Sequence, residues 1–353
     1  MKRSLIIAAL VVVGSAALPG AASATGHPPT VSWRLSTTGT EAQFRGLSAV
    51  SDRVAWASGT GGTVLRTTNG GREWQRSTPP GTEKLELRDV EAFDSRTAVV
   101  LSIGPGDQSR IFRTGDGGTT WTEAFRNAEP TAFYDCLAFF DRDHGLALSD
   151  PVDGKFRILS TSDGGRSWRP NPSDRVPAAL EGEFAFAASG QCVTTSGPRD
   201  AWIATGGGAK ARVFHSSDRG RSWTVSDTVL ASGASAGVFA TAFRDRRTGI
   251  AVGGDYGKPD TAVDALATTR DGGKTWQKPS TAPTGYRSGV TWHPFLPGAA
   301  IAVGPSGSDY TLDSGRHWRQ FDTGSFDTVD CAADGACWAS GTKGRIAKLH
   351  LGH

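Results

Sequence analysis

The segment Thr67-Thr68-Asn69-Gly70-Gly71-Arg72-Glu73-Trp74 decides the fold, because the chain repeats it. The pattern [ST]-x-[DN]-x-G-x-x-W returns as Thr114…Asp116…Gly118…Trp121, Thr161…Asp163…Gly165…Trp168, Ser216…Asp218…Gly220…Trp223, Thr269…Asp271…Gly273…Trp276 and Thr311…Asp313…Gly315…Trp318. Successive tryptophans of the pattern are 47, 47, 55, 53 and 42 residues apart. A period of this length marks a chain assembled from repeated supersecondary units that stack on one another.

Outward from each copy the same order of elements recurs. An apolar strand such as Asp89-Val90-Glu91-Ala92-Phe93 leads and a polar turn follows. A second strand opens on a small residue, as in Ala55-Trp56-Ala57, Ala98-Val99-Val100, Gly145-Leu146-Ala147, Ala201-Trp202-Ile203 and Gly249-Ile250-Ala251. A glycine-rich loop, a third strand, the repeated turn and a fourth strand beginning at the tryptophan complete the unit. Short strands at regular spacing, without a convincing amphipathic helix, predict an all-β chain. Four strands per repeat of this length read as a propeller blade.

Six copies suggest six blades, but residues 325–348 form a partial seventh. They offer Thr328-Val329-Asp330-Cys331, Cys337-Trp338-Ala339 and Arg345-Ile346-Ala347-Lys348, and then the chain ends. The missing strand is at the other terminus: Val31-Ser32-Trp33-Arg34-Leu35 resembles the strand after each turn, and Trp33 precedes Trp74 by 41 residues. The expected fold is a seven-bladed β-propeller of four-stranded blades, closed by its N-terminal strand. Closure removes the sheet edges that would otherwise invite aggregation.

The aligned repeats also pair the cysteines. Cys136 and Cys192 each stand nine residues before the small residue that opens the second strand, Gly145 or Ala201. They therefore occupy equivalent positions on adjacent blades. Cys331 and Cys337 flank a short hairpin in the closing blade. Pairings Cys136–Cys192 and Cys331–Cys337 follow, each contributing roughly 2–4 kcal/mol. No C-x-x-C spacing is present, which argues against zinc or thioredoxin-like chemistry. The seven histidines show no metal-ligand spacing. No metal and no cofactor are expected.

Lys2 and Arg3, the apolar run 5–13 and Ala22-Ser23-Ala24 read as a secretory signal peptide, residues 1–24. A short linker, 25–30, then leads into a single domain, 31–353. The expected location is secreted or extracytoplasmic, with no membrane insertion after cleavage. The full chain carries 38 basic and 35 acidic residues; without Lys2 and Arg3 the balance is 36 against 35, or +1. That balance argues against a nucleic-acid partner, which needs a concentrated basic face.

The repeated turn resembles the Asp box, or BNR repeat. Nearly the whole chain after residue 24 is similar to seven-bladed BNR-like propellers. These include the photosystem II assembly-factor family and exported bacterial proteins labelled glycosyl hydrolase or oxidoreductase. Stretches such as Gly253-Gly254-Asp255-Tyr256 and Gly304-Pro305-Ser306-Gly307-Ser308-Asp309-Tyr310 carry the likeness to the bacterial group. The resemblance implies a structural role for Asn69, Asp116, Asp163, Asp218, Asp271 and Asp313, in turns at the periphery of the ring.

Propeller topology gathers the loops after each second strand, and the connections into the next first strand, on one face. Ligands of such rings bind there around the channel. Candidate ligand-binding residues on that face are Tyr134, Asp150, Asp153, Asp255, Tyr256, Tyr286, Arg287, Asp309 and Tyr310. Tyrosine rings and carboxylates together suit carbohydrate. The first expectation is a monomeric, non-catalytic scaffold binding a protein or a glycan. The second is a glycoside hydrolase using two of Asp135, Asp150, Asp255 and Asp309, which must then lie about 5–5.5 Å or roughly 6.5–9.5 Å apart. Phe156-Arg157-Ile158-Leu159 lacks the proline of the sialidase signature. Gly233-Ala234-Ser235-Ala236-Gly237 matches G-x-S-x-G without the strand-to-helix setting of a nucleophile elbow. No dinucleotide fingerprint supports an oxidoreductase.

Overall fold

Second strands of the repeats are buried on both faces, as a blade stacked between two others requires. Ala55–Gly59, Ala300–Gly304 and Cys337–Ser340 are buried at every residue. Their small first residues, Ala55, Ala98, Ala201 and Ala300, are completely enclosed. There is no single core. Apolar clusters sit in the seams between neighbouring blades: Trp56 and Val64 pack with Leu87, Val90 and Val100, and Trp338 and Ile346 with Phe44 and Leu65.

The computed structural model describes residues 30–352. The expected signal peptide and cleavage site, and residues 25–29 of the expected linker, lie outside the described residues. Among the described residues, twenty-seven strands form seven antiparallel sheets. Blade 1 is β2 (Phe44–Ala49), β3 (Ala55–Gly59), β4 (Val64–Thr67) and β5 (Gln75–Arg76). Blade 2 is β6 (Glu86–Ala92), β7 (Ala98–Ile103), β8 (Arg110–Thr114) and β9 (Thr122–Arg126). Blade 3 is β10 (Tyr134–Phe139), β11 (Gly145–Val152), β12 (Lys155–Thr161) and β13 (Arg169–Pro170). Blade 4 is β14 (Val193–Ser196), β15 (Asp200–Ala204), β16 (Arg212–Ser216) and β17 (Thr224–Asp227). Blade 5 is β18 (Ala236–Phe243), β19 (Gly249–Asp255) and β20 (Leu266–Thr269). Blade 6 is β21 (Gly289–Trp292), β22 (Ala300–Gly304), β23 (Gly307–Thr311) and β24 (Arg319–Asp322). Blade 7 is β25 (Thr328–Cys331), β26 (Cys337–Ser340), β27 (Ile346–Gly352) and, from the other end of the chain, β1 (Thr30–Ser36).

The ring closes as expected. β1 pairs antiparallel with β27, placing Trp33 opposite Leu349. Trp33 then reaches the preceding blade, donating from Nε1 to Ser308 Oγ at 2.9 Å. One blade departs from the four-strand rule. In blade 5 the fourth segment makes only the bridge Thr268–Gln277. The next hydrogen-bonding position is Pro279, which has no N–H to give and so ends the ladder.

Each repeated turn is a joint between blades. In blade 2, Asp116 Oδ1 accepts from Thr114 Oγ1 and from the Thr120 N–H, both at 2.9 Å. Thr114 Oγ1 in turn accepts from Gly118 N at 3.0 Å. The Thr120 hydroxyl, donating to Asp116 Oδ2 at 2.6 Å, contributes most to holding the Asp116 carboxyl down at about 2, ahead of the Thr120 N–H. Asp163 and Asp271 are likewise held at about 2. Asn69 replaces the acid in blade 1 and keeps the acceptor, taking the Glu73 N–H on Oδ1 at 3.0 Å. The glycine is required twice over. Gly165 has φ +77°, and a Cβ there would stand 2.8 Å from Val99 Cγ2 of the preceding blade. With their oxygens spent on their own turns, these acids are poor ligand donors.

Both disulfides form with the expected pairing, Cys136–Cys192 and Cys331–Cys337. Among the described residues no helix is long and apolar enough to cross a membrane, and no cluster of three side chains could hold a metal ion.

Candidate functional site

The first strands of the seven blades line the channel, and four of them break register near its mouth. The irregularities fall between Phe44 and Gly46, Leu87 and Asp89, Tyr134 and Cys136, and Val238 and Ala240. A bulge inserts one residue and re-aims its side chain. The inserted residues are Arg45, Arg88, Asp135 and Phe239, and all four line one cavity of about 620 Å³.

The floor of that cavity is a plug. Residues 171–191, the long connection behind the 55-residue interval, send segment 184–191 across the channel. Buried Glu183 anchors its start, accepting from Arg212 Nε at 2.9 Å and from Thr205 Oγ1 at 2.6 Å. Phe184 exchanges both backbone bonds with Gly206 at 3.0 Å. Ala185 N donates to Asp150 Oδ1 at 2.8 Å, and Arg88 Nη1 donates to Ala187 O at 3.0 Å. Gly190 lies so close to Asp89 that a Cβ would stand 2.5 Å from Oδ1. Gln191 then spans to the far side, donating to Val329 O and accepting from Val290 N, each at 2.9 Å. The Cys136–Cys192 bond fixes the end of the plug.

Above the plug the cavity has two characters. Phe186 stacks on Phe239 with centroids 3.8 Å apart, and Phe184, Tyr256 and Tyr286 surround them edge-on. Tyr256 is 52 % exposed and forms the rim. The remaining wall is charged: Arg45, Arg88, Asp135, Asp150 and Asp327, with Gln43. Gln43 Nε2 donates to Asp327 Oδ2 at 2.9 Å. Burial raises Asp327, and the nearby Arg45 pulls it back. Arg88 is engaged by Glu86 at 3.4 Å.

Asp135 is 2 % exposed, and its Oδ2 has no hydrogen-bond partner. Burial, and after it the charge of Asp150, raise its carboxyl well above the usual range. Burial raises Asp150 to about 7, against the bond from Ala185.

The other candidates lie elsewhere. Asp255 accepts from Ser235 Oγ at 2.7 Å and from Gly257 N at 2.9 Å, and these bonds lower its carboxyl. Asp309 and Arg287 are both fully buried and paired, Nε to Oδ2, at 2.7 Å; Arg287 also holds Thr284 Oγ1 and Tyr286 O. Tyr134 points into the seam against Phe125, where burial raises its hydroxyl to about 12. Tyr310 packs beside Phe321 on blade 6. Asp153 is exposed in a tight turn, 3.4 Å from Arg157. The structure thus brings together Asp135, Asp150, Tyr256 and Tyr286 and disperses the rest.

Arg45, Arg88, Phe239, Asp327 and the plug aromatics were absent from the sequence candidates. A signal for four of these existed. Arg45, Arg88, Phe239 and Asp327 each stand ten residues before the opening of the second strand, at 55, 98, 249 and 337, as does Asp135 before 145.

Beneath the plug a second cavity of about 410 Å³ is lined by Asp89, Glu91, Asp330 and Gln191. Asp89 Oδ2 accepts from Leu137 N at 2.7 Å and Asp330 Oδ2 from Ala49 N at 2.8 Å, so both acids stitch neighbouring blades. Burial still raises Asp89 and Glu91 to about 8, with Asp330 adding to the effect on Glu91.

No protein-family profile matches the chain, and no curated protein matches it in sequence. Solved structures do match its fold. The structure described as YCF48 bound to D1 peptide aligns with a TM-score of 0.63 at 14 % identity, covering 90 % of this chain and 94 % of that one. YCF48 from Cyanidioschyzon merolae gives 0.63 at 16 % identity, covering 90 % and 98 %. The GH74 xyloglucanase from Xanthomonas campestris gives 0.56 at 15 % identity, and this chain, with 90 % of its length aligned, covers 53 % of it. At such identities the likeness establishes the propeller fold.

Proposed function

We propose that the protein is an exported, non-catalytic binding module that receives a polypeptide segment of a partner in the cavity above the plug. The observation that carries this reading is the construction of that cavity. A channel closed by segment 184–191 leaves a recess with an aromatic wall on one side and charged groups on the other. Concave, largely apolar sites with a few placed polar groups are how proteins hold ligands. Peptide recognition at the equivalent fold is in keeping with the YCF48 structure, described as bound to D1 peptide. Export is supported by two disulfides, which persist in oxidising compartments, and by the leader read at residues 1–24. The pairing of β1 along β27 leaves the third strand of the last blade covered, and that closure of the ring supports a monomer.

A glycan remains the second reading, because Asp135 and Asp150 share a wall beside aromatic rings. A glycosidase, however, needs one carboxyl driven up and its partner kept ionised. Here burial drives both the same way. Asp255 accepts from Ser235, and Asp309, outside this cavity, is paired with Arg287 through Oδ2 while its Oδ1 has no partner. The test exposes the purified mature chain to a peptide library, a glycan array and a reducing-sugar assay. Retention of peptides, lost in Phe186→Ala, is expected. Sugar release abolished by Asp150→Asn would overturn the reading in favour of a hydrolase.

A further inference from the structure

We propose that Asp135 and Asp150 form the receptor for a basic side chain, lysine or arginine, of that partner polypeptide, with its alkyl stem laid along Phe186, Phe239 and Tyr256. This rests on the peptide-binding reading above and names the chemistry the cavity selects.

The wall has two carboxyls with no salt-bridge partner. Burial keeps protons on them, the charge of Arg88 opposes this at Asp135 only in part, and an incoming cation would favour their ionised form. Asp135 Oδ2 is buried and unpartnered, and Asp150 has given only Oδ1, to Ala185 N. Of the cavity's two arginines, Arg88 is held by its own contacts, while Arg45 makes no salt bridge among the described residues and its buried Nε has no hydrogen-bond partner. Arg88 donates to Ala187 O at 3.0 Å and to Glu86 at 3.4 Å. Arg45 faces Asp327, the acid whose charge it favours. Among the described residues neither arginine makes a salt bridge to Asp135 or Asp150. A buried carboxylate oxygen with no donor is costly to keep. A ligand that brings several N–H donors and a positive charge satisfies both acids at once. A hydroxyl brings a donor and no charge, which makes a sugar the poorer fit.

The aromatic wall fits the same ligand. Phe186 and Phe239 lie face to face, and Tyr256 meets their edges with centroids at 6.3 and 6.1 Å. Lysine and arginine bury their methylenes against apolar surface while the charged head seeks a polar end. Ring faces also attract the cation itself. The groups around the acid pair are Arg88 on β6, with Arg45 on β2 and Asp327 before β25 further round; the plug contributes backbone and phenylalanine only.

The test uses the mature chain at pH 7. Pools of seven-residue capped peptides with randomised flanks carry a fixed central lysine, arginine, norleucine or glutamate, and spermidine serves as a free cation. Lysine and arginine pools are expected to bind at least tenfold more tightly than the norleucine pool, whose stem is the same length without the charge. In Asp135→Asn/Asp150→Asn that preference should vanish while norleucine binding persists. Should the double variant not fold, Asp150→Asn alone, which keeps an acceptor for Ala185, tests the same point. Equal binding of lysine and norleucine pools, or a preference that survives the variants, would overturn the inference and leave the peptide-binding reading standing. Binding of no pool would overturn both. Spermidine held more tightly than the lysine pool would overturn the polypeptide source and assign the site to a free polyamine.

Discussion

Asp150 and Ala185 are 35 residues apart in sequence, yet Asp150 Oδ1 accepts the Ala185 N–H at 2.8 Å. One carboxylate therefore faces the cavity and also holds its floor in place. Loss of that acceptor leaves a backbone donor unpaired, at a cost of about 1–3 kcal/mol. Asp150→Ala is expected to lower the melting temperature and to open segment 184–188 to protease, read by limited proteolysis and mass spectrometry. Asp150→Asn, which keeps an acceptor, should leave the cleavage pattern unchanged.

Channel acids make stability depend on pH in an uncommon direction. Folding raises Asp89 and Glu91 to about 8 and Asp150 to about 7. A carboxyl raised by folding favours the folded state below its unfolded value, near 4, and that contribution is lost as pH climbs through the folded value. Stability should therefore fall from about pH 5 to about pH 8, measured by calorimetry. The turn acids Asp116, Asp163 and Asp271 are lowered to about 2 and act oppositely, losing their contribution only as pH falls through that value. Glu91→Gln should flatten the upper limb. A melting temperature that rises between pH 5 and 8 would contradict the assignment.

The period, the blade number, the closing strand and the cysteine pairs were legible because each is written as a residue at a fixed offset. Facing is harder to read. Tyr134 and Asp135 are neighbours on β10, and one enters the seam while the other enters the cavity. Side chains alternate along a strand, and a bulge shifts the alternation by one, so a small slip exchanges the two faces. Repeat spacing assigns loops to a face without saying which of two adjacent residues looks inward. Segment 184–191 was illegible for another reason. It belongs to no repeat, and its position depends on distant partners such as Arg88, Asp150 and Val329.

Within the repeated turn, the acid and the glycine should differ in tolerance. Asp163→Asn imitates Asn69, retains the Oδ1 acceptor for the Ser167 N–H, and is expected to cost less than about 1 kcal/mol. Gly165→Ala must accept φ +77° and place a Cβ 2.8 Å from Val99 Cγ2. Overpacking and left-handed strain together predict a loss of about 2–4 kcal/mol, read by urea denaturation. Equal costs for the two variants would mean that the turn does not join the blades.

Asp309 was a catalytic candidate, and its pairing with Arg287 gives it a different test. Removing one partner of a buried ion pair leaves the other charge without compensation, at about 3–5 kcal/mol. Asp309→Ala should be strongly destabilised, and whatever of it folds should bind peptide with wild-type affinity. A fully stable Asp309→Ala protein lacking activity toward a glycan would restore the catalytic reading.

The two disulfides should contribute unequally. Cys136–Cys192 closes 56 residues of chain and Cys331–Cys337 closes 6. Loop-closure entropy assigns about 4 kcal/mol to the longer link and about 2 kcal/mol to the shorter. The longer one also ends the plug, because Cys192 follows Gln191, whose amide bridges to Val329 and Val290 on the far side of the ring. Cys136→Ala/Cys192→Ala should therefore lose both stability and peptide binding. Cys331→Ala/Cys337→Ala should lose the smaller increment of stability and keep binding. Thermal denaturation and a binding titration on the same two variants separate these effects. Unaltered binding in Cys136→Ala/Cys192→Ala would show that the plug is held by its hydrogen bonds alone.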